Sequence, residues 1–151
     1  ATVQVNDARK RAMGRKVIKA MGGDVRGKTI GILGLTFKPN TDDMRDAPSL
    51  SIVAALEDAG ATVKAYDPEG FEQARPLLPN VEFSESAYAA AHGADALVIV
   101  TEWDAFRALD LGRIKAMLKT PLLVDLRNIY PPAEAERAGL KLVGVGKPKH
   151  G

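Results

Sequence analysis

The sequence predicts an α/β fold, a Rossmann-like three-layer sandwich around a mostly parallel sheet of about six strands. Two observations lead to this prediction. Short apolar runs alternate about six times with segments of helical periodicity, which is the pattern of strands joined by helical crossovers. The chain has 151 residues, of which 46% are hydrophobic and 26% are charged, and this is the composition of one globular domain.

The chain is predicted to begin with a helix over residues 1–21, because apolar side chains recur there every three or four positions opposite a basic face. Gly22-Gly23 is expected to end it. The helix starts without a strong cap, which suggests a chain cut from something longer. The chain is expected to consist of this N-terminal helical segment (1–24), a domain (25–146) and a tail (147–151).

The first strand is predicted from Thr29 to Leu35, where the apolar run is continuous, as in strands buried on both faces. A loop rich in Asp, Pro and Asn follows over residues 36–47. The next helix is predicted to begin at Pro48, with Asp46 as a candidate N-cap, and to end at Gly60.

The rest of the chain continues the alternation of strands and helices. Further strands are predicted at residues 62–66, 81–83, 95–101, 122–125 and 140–143. Helices are predicted at residues 71–78, 85–92, 111–119 and 131–139. Ser84 is the candidate cap of the helix over residues 85–92.

Residue usage excludes several classes of site. The chain has no cysteine, which rules out a disulfide scaffold, a thiol nucleophile and a thiolate metal site. Its two histidines, His92 and His150, are too few for a histidine-based zinc site. No apolar run is long enough to cross a membrane. We expect no metal, no membrane partner and a cytoplasmic location.

Charge is concentrated at the start of the chain. The net charge is +2, but residues 1–28 hold eight lysines and arginines against two aspartates. A basic segment suits either nucleic acid or a solvated helix face. No aromatic residue lies among these bases to stack on nucleotides, so we expect no nucleic-acid partner.

Two cations follow strands that end at one edge of the predicted sheet. Ligands bind beyond the carboxyl ends of parallel strands, where Lys38 follows the first strand and Arg127 follows the fifth. Arginine offers a planar fork and lysine a point charge, and together they suit a diphosphate or another dianion. The alternative is that each cation pairs with a local acid, such as Asp42, Asp43, Asp125 or Glu102.

The first strand carries a glycine pattern that differs from the dinucleotide fingerprint. Gly31-x-x-Gly34-x-x-Phe37 has neither the spacing nor the third glycine of G-x-G-x-x-G, so we do not expect it to hold NAD in the usual way. Gly31 lies inside the strand, where glycine permits close packing. Asp67 stands where a ribose-binding acid would lie, but Asp67-Pro68 is better interpreted as a turn.

Other polar and aromatic residues have both a functional and a structural interpretation. No nucleophile–base set is predicted, because no histidine is placed to activate a serine. The serines interpreted as cap or helix residues are Ser49, Ser51, Ser84 and Ser86. A metal site or a solvated acidic loop would explain Asp42, Asp43 and Asp46, and we favour the solvated loop. Trp103 and Phe106 suit either stacking on a base or sugar or packing at the sheet edge.

The stretch Gly34-Leu-Thr-Phe-Lys-Pro-Asn-Thr-Asp-Asp-Met-Arg-Asp-Ala-Pro-Ser49 closely resembles a signature of the UDP-glucose/GDP-mannose dehydrogenase family. The resemblance extends over nearly the whole chain. It continues through Ala65-Tyr-Asp-Pro68, Val100-Thr-Glu-Trp103, Val124-Asp-Leu-Arg-Asn-Ile-Tyr130 and Val143-Gly-Val-Gly146. It corresponds to the C-terminal, UDP-binding domain of that family, preceded by the end of the central helix.

The resemblance implies a homodimeric, NAD-dependent enzyme of polysaccharide biosynthesis that oxidises UDP-glucose to UDP-glucuronate. By this resemblance Phe37, Lys38 and Arg127 are substrate-binding residues, and Arg45 reaches toward NAD, which an N-terminal domain outside this sequence would mainly bind. The catalytic cysteine of the family is absent. We therefore expect no catalytic residue here, and a chain that binds UDP-glucose or UDP-glucuronate but is inactive alone.

Two alternatives remain. One is the same domain of a dehydrogenase acting on GDP-mannose or UDP-N-acetylmannosamine, and the other is a non-catalytic nucleotide-sensing domain. The segments Thr101-Glu-Trp103 and Asp125-Leu-Arg-Asn-Ile-Tyr130 favour the branch of the family that acts on UDP-glucose.

Overall fold

A computed structural model of the chain describes residues 12–36, 38–44 and 47–144. It contains a six-stranded sheet in the order β3-β2-β1-β4-β5-β6, and all neighbouring strands are parallel. The strands are β1 (Thr29–Leu33), β2 (Thr62–Tyr66), β3 (Glu82–Phe83), β4 (Ala96–Ile99), β5 (Leu122–Asp125) and β6 (Lys141–Gly144). The predicted α/β sandwich is confirmed.

Helices cover both faces of the sheet. They are α1 (residues 12–20), α2 (Pro48–Asp58), α3 (Phe71–Ala74), α4 (Ala87–Ala91), α5 (Asp104–Arg107), α6 (Leu111–Met117) and α7 (Pro132–Arg137). The helices α1, α2 and α3 contribute to one buried apolar cluster, and α4, α5, α6 and α7 contribute to the other. Every residue of β4 and β5 is buried, as expected for central strands of a sheet covered on both sides.

Each central strand contributes side chains to both apolar clusters. Ile30 and Ile32 of β1 belong to the cluster under α2, whereas Leu33 belongs to the cluster under α4. Gly31 faces α4, and a Cβ there would lie 2.6 Å from the Ala90 carbonyl oxygen. The glycine therefore permits close packing of helix on strand, as predicted.

Several boundaries differ from the sequence-based expectations. The N-cap of α2 is Ala47, which makes no side-chain cap bond, and the predicted cap, Asp46, lies outside the described residues. The cap of α4 is Ser86, whose hydroxyl accepts the Ala89 N–H, rather than Ser84. The short helix α5 was not predicted, because four residues carry too little periodicity to detect.

The helix α1 ends where the sequence places its glycine pair. Gly22 and Gly23 both have positive φ, at 95° and 92°, a conformation that other residues rarely adopt. Val17 is fully buried against the domain. The predicted start of this helix, over residues 1–11, and the predicted tail, over residues 147–151, lie outside the described residues.

Candidate functional site

The strand order creates one switch point in the sheet. From β1 the chain runs outward to β2 and β3, and then crosses to β4 on the other side of β1. In sheets of this kind ligands bind beyond the carboxyl ends of the two strands that flank the switch point. We call this region the carboxyl edge and define it as residues 34–36, 38–44, 67–70, 100–103 and 126–130.

Asp67 holds together the segments that follow β1 and β2. Its side chain is fully buried, and one oxygen, Oδ2, accepts the backbone N–H groups of Leu35 at 2.7 Å and Thr36 at 3.1 Å. The other oxygen, Oδ1, accepts those of Glu69 at 2.8 Å and Gly70 at 2.7 Å. Both oxygens are thus occupied by the backbone. The interpretation of Asp67 as a turn residue holds, and its carboxylate has no oxygen left for a ribose.

Hydroxyl groups fix the segment that leads to Lys38. The Thr36 hydroxyl donates to the Lys38 carbonyl at 3.0 Å, and the Thr101 hydroxyl, at the end of β4, donates to the Thr36 carbonyl at 2.8 Å. Ser49 of α2 donates to the Leu35 carbonyl at 2.6 Å. The backbone after β1 is therefore bonded to α2 and to the segment after β4, in a buried network that sequence patterns did not reveal.

Gly34 allows this close approach. Its φ is +95°, and a Cβ at this position would lie 2.5 Å from the Thr101 Cβ and 2.6 Å from the Thr101 backbone nitrogen. The Gly34 N–H donates to the Tyr66 carbonyl at 2.9 Å. Glycine is thus required here both by conformation and by space.

The structure places two of the four predicted ligand-binding residues. Lys38 is exposed and follows β1, and Arg127 is exposed and follows β5, so both lie at the carboxyl edge as predicted. β4 separates the two strands that precede them. Phe37 and Arg45 lie outside the described residues.

Arg127 is fixed through its backbone and its side chain. Asp125, at the end of β5, accepts the Arg127 N–H at Oδ1 (3.1 Å) and the Tyr130 N–H at Oδ2 (2.9 Å). The Arg127 guanidinium bonds to Glu102, with Nε and Nη2 lying 3.1 Å and 2.6 Å from the same oxygen, Oε2. The alternative of pairing with a local acid therefore holds for Arg127.

The ion pair changes the acidity of Glu102. Burial acts to raise the pKa of this carboxyl, but the hydrogen bond from Arg127, a hydrogen bond from its own backbone and the charges of Arg127 and Arg107 together outweigh it. The pKa of Glu102 therefore lies below its usual value. Glu102 is ionised at neutral pH, and the pair carries one positive and one negative charge.

Trp103 and Phe106 belong to the core rather than to an open stacking surface. Phe106 is fully buried, and its ring makes an edge contact with Tyr66 at 6.1 Å between centroids. Trp103 is 7% exposed. Among the side chains of the described residues, the Trp103 indole nitrogen is the buried polar atom without a hydrogen-bond partner.

A cavity of about 370 Å³ opens at the carboxyl edge, and its lining residues are Asn40, Thr41, Asp42, Glu69 and Trp103. Larger cavities, of about 450 Å³ and 720 Å³, lie beside Lys19 and Lys141 and beside Leu50 and Leu77. We place the candidate site at the carboxyl edge because the switch point and Arg127 lie there. The cavity of about 450 Å³ lies outside this edge, and the cavity of about 720 Å³ reaches it only through Thr41, Asp42, Asp43 and Met44.

Within the part of the chain that the structure describes, no residues form a metal site, a serine nucleophile site or a membrane span. No three His, Asp or Glu side chains group there in a way that could hold a metal ion. Ser49 is buried in α2 and Ser86 caps α4, so both have structural roles. None of the helices within these residues has the length and apolar character needed to span a bilayer.

Comparison with known proteins shows which family these sequence motifs belong to. A model described as the UDP binding domain of the UDP-glucose/GDP-mannose dehydrogenase family matches residues 31–132. The chain is 60% identical over 147 residues to a UDP-glucose 6-dehydrogenase of Rhizobium meliloti (strain 1021), and 38% identical over 149 residues to UDP-glucose 6-dehydrogenase TuaD of Bacillus subtilis (strain 168). These matches cover 97% and 98% of this chain but 34% and 32% of those proteins, so the chain spans about a third of their length.

Solved structures share the same architecture. A UDP-glucose dehydrogenase from the archaeon Pyrobaculum islandicum is 27% identical, with a TM-score of 0.72 over 92% of this chain and 29% of that chain. An NDP-N-acetyl-D-galactosaminuronic acid dehydrogenase from Methanosarcina mazei is 25% identical, with a TM-score of 0.78 over 95% of this chain and 30% of that chain. Both matches cover more than nine-tenths of the present chain, which supports the fold.

Proposed function

Because the chain belongs to the UDP-glucose/GDP-mannose dehydrogenase family, whose UDP binding domain it matches, we propose that it is the UDP-binding part of a UDP-glucose 6-dehydrogenase. The 60% identity to a relative of that name supports this choice within the family. In the proposal the chain binds UDP-glucose or UDP-glucuronate, residues 1–24 end a central helix, and residues 25–146 form the binding domain. The parent would be a cytoplasmic homodimer of polysaccharide biosynthesis.

The observation that carries the proposal is the position of Arg127. Its guanidinium lies at the carboxyl edge, beyond β5, and its backbone is bonded to the buried Asp125. Lys38 lies beyond β1, at the same edge. The two cations provide a planar fork and a point charge for the diphosphate of UDP, and Phe37 is assigned to the same ligand.

The described residues do not fit a complete dinucleotide site. A dinucleotide's diphosphate needs a glycine turn that opens directly into a helix N-terminus. Here Gly34 lies against Thr101, and α2 begins only at Pro48. Both oxygens of Asp67 are bonded to backbone. We therefore assign NAD binding mainly to the other part of the parent, with Arg45 reaching toward the cofactor.

The role of this chain in the reaction is then to hold the substrate. Oxidation through a covalent thiol adduct needs a cysteine, and this chain has none. By fixing the diphosphate, Lys38 and Arg127 would position the sugar for chemistry in the other domains. We expect the 151-residue chain alone to bind nucleotide and to show no dehydrogenase activity.

Calorimetric titration of the chain with UDP tests the proposal. We expect Arg127→Ala to weaken binding by about 1–3 kcal/mol, the scale of a lost charge-assisted hydrogen bond. Arg113→Ala is the matched control, because the Arg113 guanidinium lies over the Tyr88 ring, 3.9 Å from its centroid, and Arg113 is not among the residues of the carboxyl edge. Failure of the unaltered chain to bind UDP, or equal affinity in the Arg127 variant, contradicts the proposal. Competition with GDP and with UDP-N-acetylmannosamine separates the UDP-glucose branch from the alternatives.

A further inference from the structure

The Glu102–Arg127 pair uses only one edge of the guanidinium. Nε and Nη2 both donate to Oε2 of Glu102, at 3.1 Å and 2.6 Å. These two nitrogens form the side edge of the planar group. The opposite end, made of the Nη1 and Nη2 N–H groups that point away from the side chain, is not used by this contact. Two parallel N–H bonds from that end match two oxygens of a phosphate.

Glu102 is held by buried neighbours on both sides. Thr101 is 1% exposed and donates its hydroxyl to the Thr36 carbonyl at 2.8 Å. Trp103 is 7% exposed and donates its backbone N–H to the Thr101 carbonyl at 3.0 Å. The backbone that carries the carboxylate is therefore fixed at the switch point, while the Glu102 side chain itself is 25% exposed.

The backbone of Arg127 is fixed as well, but its side chain is long. The Arg127 N–H is bonded to Asp125, and the next residue, Asn128, has a positive φ of 56°. The Arg127 side chain is 38% exposed. Without a partner on the side edge, its several rotatable bonds would leave the guanidinium in many orientations, and a ligand would have to immobilise it on binding.

We propose that Glu102 is a positioning residue for Arg127: it holds the side edge of the guanidinium and so aims the end edge at a phosphate of the nucleotide. This inference rests on the proposed function, because it takes Arg127 as a ligand-binding residue. The hydrogen bonds between Glu102 and Arg127 orient the guanidinium. The negative charge of Glu102 opposes ligand binding, because a carboxylate beside the site repels phosphate.

These opposed effects make the two simplest variants informative. Glu102→Gln keeps a carbonyl oxygen that accepts both N–H groups and removes the negative charge, so it should bind UDP at least as tightly as the unaltered chain. Glu102→Ala removes the acceptor, so it should weaken UDP binding by about threefold to tenfold, the scale of immobilising one flexible side chain. Glu102→Asp keeps the charge but shortens the reach, and should weaken binding as alanine does.

The experiment is calorimetry with UDP on the four proteins, with uridine titrated by NMR as a ligand that lacks phosphate. Glu82→Ala is the control, because Glu82 pairs with Lys64 at 3.9 Å on β2 and β3, away from Arg127. The inference predicts that the alanine and aspartate variants lose affinity for UDP and that the glutamine variant keeps it. Binding of uridine should be unchanged in all of them. Thermal melting of each variant identifies any that fails to fold, in which case the aspartate and glutamine pair decides.

Three results overturn the inference. Tighter UDP binding by both the alanine and glutamine variants would mean that Glu102 acts only through its charge. Unchanged UDP binding by the alanine and aspartate variants, with Arg127→Ala still weakened, would mean that Arg127 binds without help, and the proposed function would stand. Equal losses for UDP and uridine would mean that Glu102 maintains the local structure and does not aim a group at phosphate.

Discussion

Asp67 accepts the backbone N–H of Leu35 at 2.7 Å, although the two residues lie 32 positions apart in the chain. The contact joins the ends of β1 and β2 at the edge where ligands bind in folds of this type. Since the Asp67 side chain is fully buried, no water replaces a bond that is lost there. The geometry of the loop that leads to Lys38 therefore depends on a residue whose carboxylate oxygens are bonded to backbone.

Asp67→Asn is expected to destabilise the domain by about 3 kcal/mol, because an amide has one acceptor where the carboxylate has two. Its NH₂ group would face backbone donors, either those of Leu35 and Thr36 or those of Glu69 and Gly70. The midpoint of thermal unfolding should fall by about 6–12 °C. Asp42→Asn, an exposed aspartate in the neighbouring loop, is the control and should change little. Equal midpoints for the two variants would contradict this role of Asp67.

Gly34→Ala is expected to destabilise the domain by about 2–5 kcal/mol, through left-handed strain and overpacking together. The added Cβ would lie 2.6 Å from the backbone nitrogen of Thr101, which cannot rotate away. Gly93→Ala separates the two causes, since Gly93 has a φ of +72° with nothing within 4 Å of the added Cβ. It should lose only about 1–2 kcal/mol. Urea denaturation of both variants measures the difference, and the contact with Thr101 would be unimportant if both lost the same.

The buried hydroxyl of Tyr130 should make the free energy of unfolding decrease at high pH. Its hydroxyl donates to the Phe106 carbonyl, and burial, aided by the nearby charges of Glu134 and Asp125, raises its pKa from 10.0 to about 12. The folded protein therefore keeps this proton when the unfolded chain has lost it. The contribution is fully present below pH 10 and is lost as the pH rises toward 12.

Comparison with Tyr130→Phe tests this pH dependence. The free energy of unfolding of the unaltered chain should fall more steeply between pH 10 and 12 than that of the variant, so the gap between the two narrows. Below pH 10 the variant should be less stable by about 1–2 kcal/mol, because the Phe106 carbonyl loses its donor. Tyr66→Phe is the control. A gap that is constant from pH 8 to 12 would refute the assigned pKa.

The elements of the sheet could be predicted from the sequence because their signals are local. The bounds of β2 and β5 agree with the predicted ones, since short apolar runs and flanking turns mark both. The loop that follows β1 was expected, and so was the placement of Lys38 and Arg127 at one edge. The roles of Phe37 and Arg45 stay predictions that rest on the family resemblance.

The contacts that organise the site could not be predicted, because they join residues far apart in the chain. Glu102 was one of four acids that could have paired with Arg127, and only the folded geometry selects it. Thr101 carries no pattern that indicates a bond to Thr36, 65 positions away. The caps were predicted by residue type, but Ser84 and Ser86 are alike in type and only the backbone distinguishes them.

The pairing of β1 with β4 has a consequence for how the chain folds. Ile30 lies opposite Ala96, so during synthesis β1 waits for more than 60 further residues before its second neighbour is made. Such nonlocal pairing slows folding and leaves an apolar strand edge open in the meantime. Nascent chains that stop short of β4 would carry that unpaired edge, which is an aggregation hazard during synthesis.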